Sequence, residues 1–275
     1  MRLLSLLAIM LTCLGLAPAA ESVPLLTVKV GVRTHTFTAA QLTARRDAAT
    51  VPVPNDVAYG RPMTFRAVPL RGLLAEFGPI ATDTIEFRAT DGFVAQIPRA
   101  LIEGRSAPWI AIEDPHHPWP HMPNKTNSAG PFYLVWQGPK RAGISAEQWP
   151  YNLAAIAAVA SPGQRWPTLA LDTSASAQLR RGQAAFFANC MSCHRAGGNG
   201  EGTVGPDLLQ PMPATSYLTD QGLRVLIRNP ALVRTWPGQR MPAFGAAAVG
   251  DADLDALIAY LRYLASLPQR PSGSQ

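Results

Sequence analysis

The chain has 275 residues, of which 47% are hydrophobic and 15% are charged, so it can bury a sizeable core and is not disordered as a whole. Its net charge of +6 comes from scattered cations that form no run and accompany no recognition motif, which argues against nucleic-acid binding. The length fits one large domain or two ordinary ones.

The N-terminal residues have the pattern of a secretory signal. A positive residue precedes an apolar stretch over residues 3–16, and Ala17-Pro18-Ala19 is a small-residue cleavage site. We predict a signal peptide over residues 1–19, export to the periplasm and no membrane span after cleavage. The alternative is an uncleaved anchor, for which the apolar stretch is short. Cys13 leaves with the signal, so the mature chain keeps two cysteines.

The rest of the chain divides into two regions. Residues 22–162 are rich in valine, isoleucine, aromatic residues and proline with frequent turn signals, which predicts an α+β domain with a strand-rich core. Residues 172–269 have helical periodicity and predict an all-α domain. Residues 163–171 are interpreted as a linker, because proline and glycine break regular elements, and residues 270–275 as a disordered tail.

The first region opens with a predicted hairpin and a short helix. Residues 26–30 and 34–37 alternate as strands on either side of Gly31. The sequence from Thr38 to Gln41 fits a capping box, which predicts a helix running toward Arg46.

A helix, a second hairpin and two strands follow. Apolar residues recur at helical spacing from Leu70 to Phe77, and Gly78 is a stop signal. Alternating residues 85–89 and 93–97 flank Asp91-Gly92, a turn dipeptide typical of hairpins. Two further strands are predicted over residues 109–112 and 132–136.

Three helices are predicted in the second region. The first leads up to Cys190 and begins at a cap formed by Asp172 or Thr173. The second covers residues 220–228 and stops before Asn229-Pro230. The last is capped by Asp251 and carries one apolar stripe, which consists of Leu254, Leu257, Ile258, Leu261 and Leu264.

Cys190-Met191-Ser192-Cys193-His194 has the C-x-x-C-H spacing that attaches c-type haem. Two thiols on one helical turn can reach the two vinyl groups of one porphyrin, and the next residue places an imidazole under the iron. The alternatives are a redox-active dithiol, which would need a βαβ context, and half of a zinc site, which would need a second cysteine pair. The motif therefore predicts one covalent haem held by Cys190 and Cys193, with His194 on the iron.

The second region resembles class I cytochrome c over residues 174–267. Gly182 and Phe186 lie eight and four residues before Cys190, as in that family, where the glycine lets the first and last helices cross closely against an aromatic residue, here Tyr260. The sequence Gly205-Pro206-Asp207-Leu208 matches the family's Gly-Pro-x-Leu. By resemblance, the Pro206 carbonyl accepts the proton of the histidine ring.

The resemblance also implies the second axial ligand. Residues 240–244 are similar to the family's distal loop, with Met241 as the iron ligand and Met212 as the alternative. A histidine and methionine pair fills both axial positions and favours electron transfer over oxygen chemistry. Arg234 and Trp236 precede this loop and are candidates for hydrogen bonds to the haem propionates, or for an ordinary solvated loop.

Residues 26–158 resemble the molybdopterin-binding domain of sulfite-oxidase-like enzymes. The resemblance rests on residues 65–70, on residues 89–93 and on a strand that begins near Gly130. That family binds molybdenum through a cysteine, whereas the sequence has no cysteine between residues 14 and 189. A molybdopterin cofactor is therefore not expected, and the domain is interpreted as a scaffold for docking or ligand binding.

One loop concentrates histidines. His116, His117 and His121 lie beside a methionine and two carboxylates, a set that could bind copper or zinc. The alternative is a rigid, extended surface loop, because three prolines alternate with these residues.

These predictions together describe an exported electron carrier rather than an enzyme. The haem domain would pass single electrons, the accessory domain would bind a partner or small molecule, and the diffuse positive charge would favour an acidic redox partner. The chief alternative is a single-chain oxidoreductase whose first domain oxidises a substrate and reduces the haem. A third alternative is a ligand-binding sensor.

Overall fold

A computed structural model describes residues 23–268. The predicted signal peptide (residues 1–19) and the predicted disordered tail (residues 270–275) lie outside the described residues. Of the helices between residues 23 and 268, none combines the length and the hydrophobicity that a transmembrane span requires.

The first part of the described chain is dominated by strands, as predicted. Its strands are β1 (Leu25–Val30), β2 (Arg33–Thr38), β3 (Ala49–Val53), β4 (Met63–Pro69), β5 (Thr84–Ala89), β6 (Val94–Pro98), β7 (Ala107–Ile112), β8 (Phe132–Gln137) and β9 (Leu153–Val159). Its helices are α1 (Ala39–Thr43), α2 (Leu70–Ala75) and α3 (Arg99–Glu103). The prediction of an α+β domain with a strand-rich core is confirmed.

The strands form two sheets that share one hydrophobic core. The first sheet has the order β2-β1-β9-β5-β6 and the second the order β3-β4-β7-β8. The β1–β9 pair is parallel, and the other pairs are antiparallel. Leu26 and Ile156 of the first sheet and Phe65 and Ile110 of the second are buried in this common core, because each sheet turns one apolar face toward the other.

Both predicted hairpins are present. The β1–β2 turn has Gly31 at φ 58°, and the β5–β6 turn has Gly92 at φ 91°, a conformation that glycine adopts without a steric penalty. The capping box between Thr38 and Gln41 is also formed. The helix it opens ends at Thr43, earlier than the predicted approach to Arg46.

Strands β3, β4 and β9 were not predicted. Strand β9 has the sequence LAAIAAV, and alanine is a weak strand former, so local propensity gives little sign of it. It lies between β1 and β5 in the first sheet, where both neighbours supply hydrogen bonds. Strand β3 contains Pro52 and lies at a sheet edge, the position at which a strand tolerates proline.

The second part of the chain is helical, which confirms the predicted all-α domain. Its helices are α4 (Pro162–Arg165), α5 (Ala177–Asn189), α6 (Ala214–Tyr217), α7 (Asp220–Arg228) and α8 (Asp251–Ser266). Helix α7 has the predicted bounds. Two predicted caps are wrong. Ser176 caps α5 in place of Asp172 or Thr173, and Gly250 precedes α8, so that Asp251 is its first helical residue.

Helices α5 and α8 cross at Gly182. A Cβ atom on Gly182 would lie 2.0 Å from the carbonyl oxygen of Ala256, so only glycine permits this approach. Beside the crossing, the rings of Phe186 and Tyr260 lie 5.8 Å apart, and both are buried. The predicted close helix crossing is present, and the apolar stripe of α8 is buried beneath it.

The segment between the two parts is folded. Prolines and glycine were expected to exclude regular structure there, but α4 and a 3-10 turn (Pro167–Leu169) occupy it. Proline fits the first turn of a helix because its missing N–H is not needed there. The Leu169 side chain is buried among the helices, and its carbonyl accepts hydrogen bonds from Tyr260 Oη and Gln183 Nε2, both at 2.6 Å. The segment therefore packs on the helical part, and its Arg165 also pairs with Glu86 of β5 at 2.5 Å, so it contacts both parts.

Candidate functional site

The C-x-x-C-H residues form one tight turn at the end of α5. The Cys190 N–H donates to the Phe186 carbonyl, and the N–H groups of Cys193 and His194 donate to the Cys190 carbonyl at 3.1 and 2.9 Å. Met191 and Ser192, between the two cysteines, are buried. These hydrogen bonds close one turn of the backbone, which holds the two cysteines and the histidine close together.

Cys190 and Cys193 are free cysteines, without a disulfide in the described part of the chain. The pKa of Cys190 is raised to about 12, first by burial and then by the nearby Glu147 carboxylate. The same two causes raise the pKa of Cys193 to about 12. Redox-active dithiols have the opposite property, a lowered pKa, so the arrangement does not favour a dithiol–disulfide site.

The ring of His194 is held in one orientation. Its Nδ1 lies 2.7 Å from the Pro206 carbonyl oxygen, the contact that the resemblance implies. Gly205 lies flat against the ring, since a Cβ atom there would be 2.4 Å from His194 Cε1. Burial lowers the pKa of His194, although the Pro206 carbonyl opposes this effect. The neutral imidazole donates its Nδ1 proton to the carbonyl, which leaves the Nε2 lone pair for a metal.

Met241 and Met212 have different surroundings. Met241 is partly buried and packs against the hydrophobic core of the helical part. Its neighbours Arg240 and Pro242 line a cavity together with Cys193. Met212 has a relative exposure of 49%. The position of Met241 agrees better with an iron ligand, and its ligation stays a prediction.

Arg234 and Trp236 lie on the surface. Trp236 has a relative exposure of 49%, and the Arg234 guanidinium stacks over its ring at 5.6 Å from the centroid. This contact is the ordinary packing of a solvated loop. Their proposed contact with haem propionates stays a prediction.

A cavity of about 700 Å³ opens between the two parts of the chain. The helical part supplies Cys193, Val204, Gln239, Arg240 and Pro242 to its wall. The strand-rich part supplies Asp91 and Phe93 together with residues from the segments 122–127 and 146–152. The volume is that of a cofactor or small-molecule site, and such sites occur preferentially between domains. Sequence reasoning did not find the contribution of the first part, because no local pattern marks it.

The β5–β6 hairpin is hydrogen-bonded directly to the C-x-x-C-H turn. The N–H of Val94 donates to the carbonyl of Ser192 at 3.0 Å, and the N–H of Thr203 donates to the carbonyl of Gly92 at 3.3 Å. Gly92 has φ 91°, which favours glycine, and a Cβ atom there would lie 2.4 Å from Thr203 Oγ1, so the hairpin turn and Thr203 are in close contact. The strand-rich part therefore holds the peptide between the two cysteines.

A network of charges fixes the same interface. Glu86 on β5 is buried and pairs with Arg165 of α4 at 2.5 Å and with Arg88 at 2.9 Å. Both arginines also pair with Glu201 of the helical part, at 3.0 and 3.4 Å. Burial alone would raise the pKa of Glu86, but a hydrogen bond from Gln96 and the charge of Arg165 outweigh it, so the pKa is lowered. The carboxylate therefore stays ionised in the interface.

The three histidines of the loop after β7 lie on the surface. His116, His117 and His121 are exposed, and His117 Nδ1 pairs with Asp114 at 3.0 Å. Across residues 23–268, no three His, Cys, Asp or Glu side chains come together in a group that could hold a metal ion. The copper or zinc site at these histidines stays a prediction, and their exposed positions agree with the extended surface loop of the alternative interpretation.

Comparison with known proteins places the helical part in a family. The family model described as Cytochrome c matches residues 179–265, from within α5 to near the end of α8. No curated protein matches the chain. The family match covers the two cysteines, the histidine, Pro206 and Met241, and it ends short of the strand-rich part.

Proposed function

Residues 179–265 are a cytochrome c domain, a kind of domain that transfers electrons by means of haem, and from this premise we propose that the chain is an exported carrier of single electrons. The proposal assigns one haem to the turn at the end of α5. When bound, that haem supplies a one-electron redox centre of raised potential. The strand-rich part is proposed to bind the redox partner or a small molecule at the cavity.

Four side chains would hold the cofactor. Cys190 and Cys193 would form its thioether links, because their protonated sulfurs lie in one turn and are not tied in a disulfide. His194 and Met241 would be the axial ligands. The observation that carries this assignment is the 2.7 Å contact between His194 Nδ1 and the Pro206 carbonyl, since it fixes the tautomer that an iron ligand needs. The flat approach of Gly205 to the ring fits the same role.

Extraction tests the covalent attachment. Protein matured in a host with a haem-attachment system should keep its pigment in acidified organic solvent, because thioether links survive denaturation. The double variant Cys190→Ala, Cys193→Ala should lose it, whereas Ser266→Ala, on the exposed end of α8, should keep it. Pigment that leaves the wild-type protein during extraction contradicts the proposal.

Export and partner choice are supported by the sequence. Residues 1–19 have the signal pattern, and a haem of this type is attached outside the cytoplasm; fractionation should recover the haem protein from the periplasm. The net charge of +6 favours an acidic partner. Reduction by such a partner should slow as ionic strength rises, because steering between opposite charges is screened by salt.

The cavity also supports a second candidate, a single-chain oxidoreductase. Its position between the strand-rich part and Cys193 would allow a substrate bound there to lie close to the cofactor. Metal analysis of pure protein separates the two candidates. Iron alone supports the carrier, and stoichiometric molybdenum or copper supports the enzyme.

A further inference from the structure

Glu147 is a residue of the strand-rich part that lies at the cysteine turn. It belongs to a 3-10 turn (Ala146–Gln148) that packs against α5, the helix that ends in that turn. Glu147 lines the cavity together with Cys193, and its charge raises the pKa of both cysteine thiols. No pattern in the sequence links this residue to the haem motif.

The other charged groups around Glu147 already have partners. On the hairpin turn, Asp91 accepts a hydrogen bond from the Phe93 N–H and faces Arg240 of the helical part at 3.8 Å. From the loop after β7, Lys125 donates to the hydroxyl of Tyr151.

No described side chain pairs with Glu147. Among the side chains described between residues 23 and 268, which do not include those of residues 141 and 142, none donates a hydrogen bond to its carboxylate or forms an ion pair with it. Its surroundings contain Lys125, Asp91, Arg240, Tyr151 and the two cysteines.

The protonation of this carboxylate is finely balanced. Burial raises the pKa of Glu147 to about 7, although the charge of Lys125 opposes the rise. A carboxyl group whose pKa is raised toward neutrality can take up or release a proton within the physiological pH range. A change of one charge nearby is then sufficient to change the protonation state of Glu147, because charges interact strongly where water is partly excluded.

We propose that Glu147 is the redox-linked proton site of the haem pocket. The inference rests on the proposed haem attachment. When one electron arrives from the redox partner, the positive charge of the pocket falls by one, and the Glu147 carboxylate takes up one proton from water in the cavity. Oxidation returns the electron to an acceptor and the proton to the water. Glu147 would hold this proton at its carboxylate and is not assigned as an iron ligand.

Potential measurements on the full-length, haem-loaded protein test the proposal. The midpoint potential of the wild type should fall between about pH 6 and about pH 8, because the ionised carboxylate stabilises the oxidised form. In Glu147→Gln the potential should stay at the acidic plateau across this range. Glu103→Gln serves as the matched control, since Glu103 is exposed on α3 and paired with Arg99, and it should behave as wild type.

A second variant moves the titration in a known direction. Lys125→Gln removes a positive charge that lowers the pKa of Glu147, so the fall in potential should shift to higher pH. Infrared difference spectra between the reduced and oxidised protein should show a carboxylic acid signal that appears on reduction and is lost in Glu147→Gln. This signal reports on the proton itself.

Two results would overturn the inference. One is a wild-type potential that does not change over this pH range. The other is a pH dependence that persists unchanged in Glu147→Gln, which would assign the proton to another group such as a haem propionate. Pigment lost in the extraction test would instead overturn the proposed function, so the two failures are distinguishable.

Discussion

Replacing Gly182 with alanine tests the close crossing between α8 and α5, the helix that ends at the turn from Cys190 to His194. The new Cβ atom would lie 2.0 Å from the Ala256 carbonyl oxygen and 2.8 Å from Tyr260 Cβ. Because unstrained contacts between heavy atoms lie near about 3.5 Å, α5 and α8 would have to separate by about 1 Å or more. The atoms contacted are a backbone oxygen and a Cβ, so no side-chain rotation can relieve the clash.

The expected loss of stability follows from two opposing effects. Overpacking costs about 1–3 kcal/mol, and the upper end applies where backbone must move. Alanine returns about 1 kcal/mol through its higher helix propensity. The net change is a destabilisation of about 2 kcal/mol, which lowers the Tm of a domain of about 100 residues by on the order of 10 °C.

Thermal unfolding of the haem-loaded protein measures this loss of stability. The unfolding is monitored by circular dichroism in the haem absorption band. Gly163→Ala in α4 is the control, since its Cβ would meet Ala170 Cβ at 3.7 Å and Ala170 Cα at 3.9 Å, which are ordinary contact distances. The control should melt within a few degrees of wild type. A Gly182→Ala protein that melts at or above the control temperature would refute the argument from the crossing.

Three further variants test the interface and the site. Arg165→Met leaves the buried Glu86 carboxylate on β5 with one arginine partner. The free energy of unfolding, measured with urea, should fall by about 3 kcal/mol. The pKa of that carboxylate is lowered from 4.5, so its stabilisation is present above pH 4.5 and lost as the pH falls through the folded pKa; the variant should therefore be less sensitive to acid than wild type. Gly205→Ala should displace the His194 ring and change the visible spectrum of the haem, while an unchanged spectrum would contradict the flat contact. Met241→Ala should lower the reduction potential and remove the weak far-red methionine–iron band, and Met212→Ala should do neither.

The β5–β6 hairpin shows what the alternation of apolar and polar residues predicts about burial and what it does not. Alternation correctly predicted that Ile85 and Phe87 face the core. The opposite face carries the polar residues Glu86 and Gln96, and nothing in the alternation indicates their surroundings. Both residues are buried, because α4 and the helical part cover that face.

The sequence by itself determined the features that depend on neighbouring residues. The turn at Cys190 to His194, helix α7 and the capping box at Thr38 all follow from side chains within four positions of each other, because hydrogen bonds in helices and turns span that distance. The contact of His194 with Pro206 came from the family pattern rather than from local physics.

Only the tertiary structure decided which distant residues meet. Glu86 and Arg165 are 79 positions apart, and strand β9 joins the centre of a sheet although its sequence is poor in strand formers. Glu147 reaches the cysteine turn in the same way. Such contacts depend on how whole surfaces pack. Burial between two domains changes the protonation and solvation of residues such as Glu147, whose neighbours in the sequence give no sign of it.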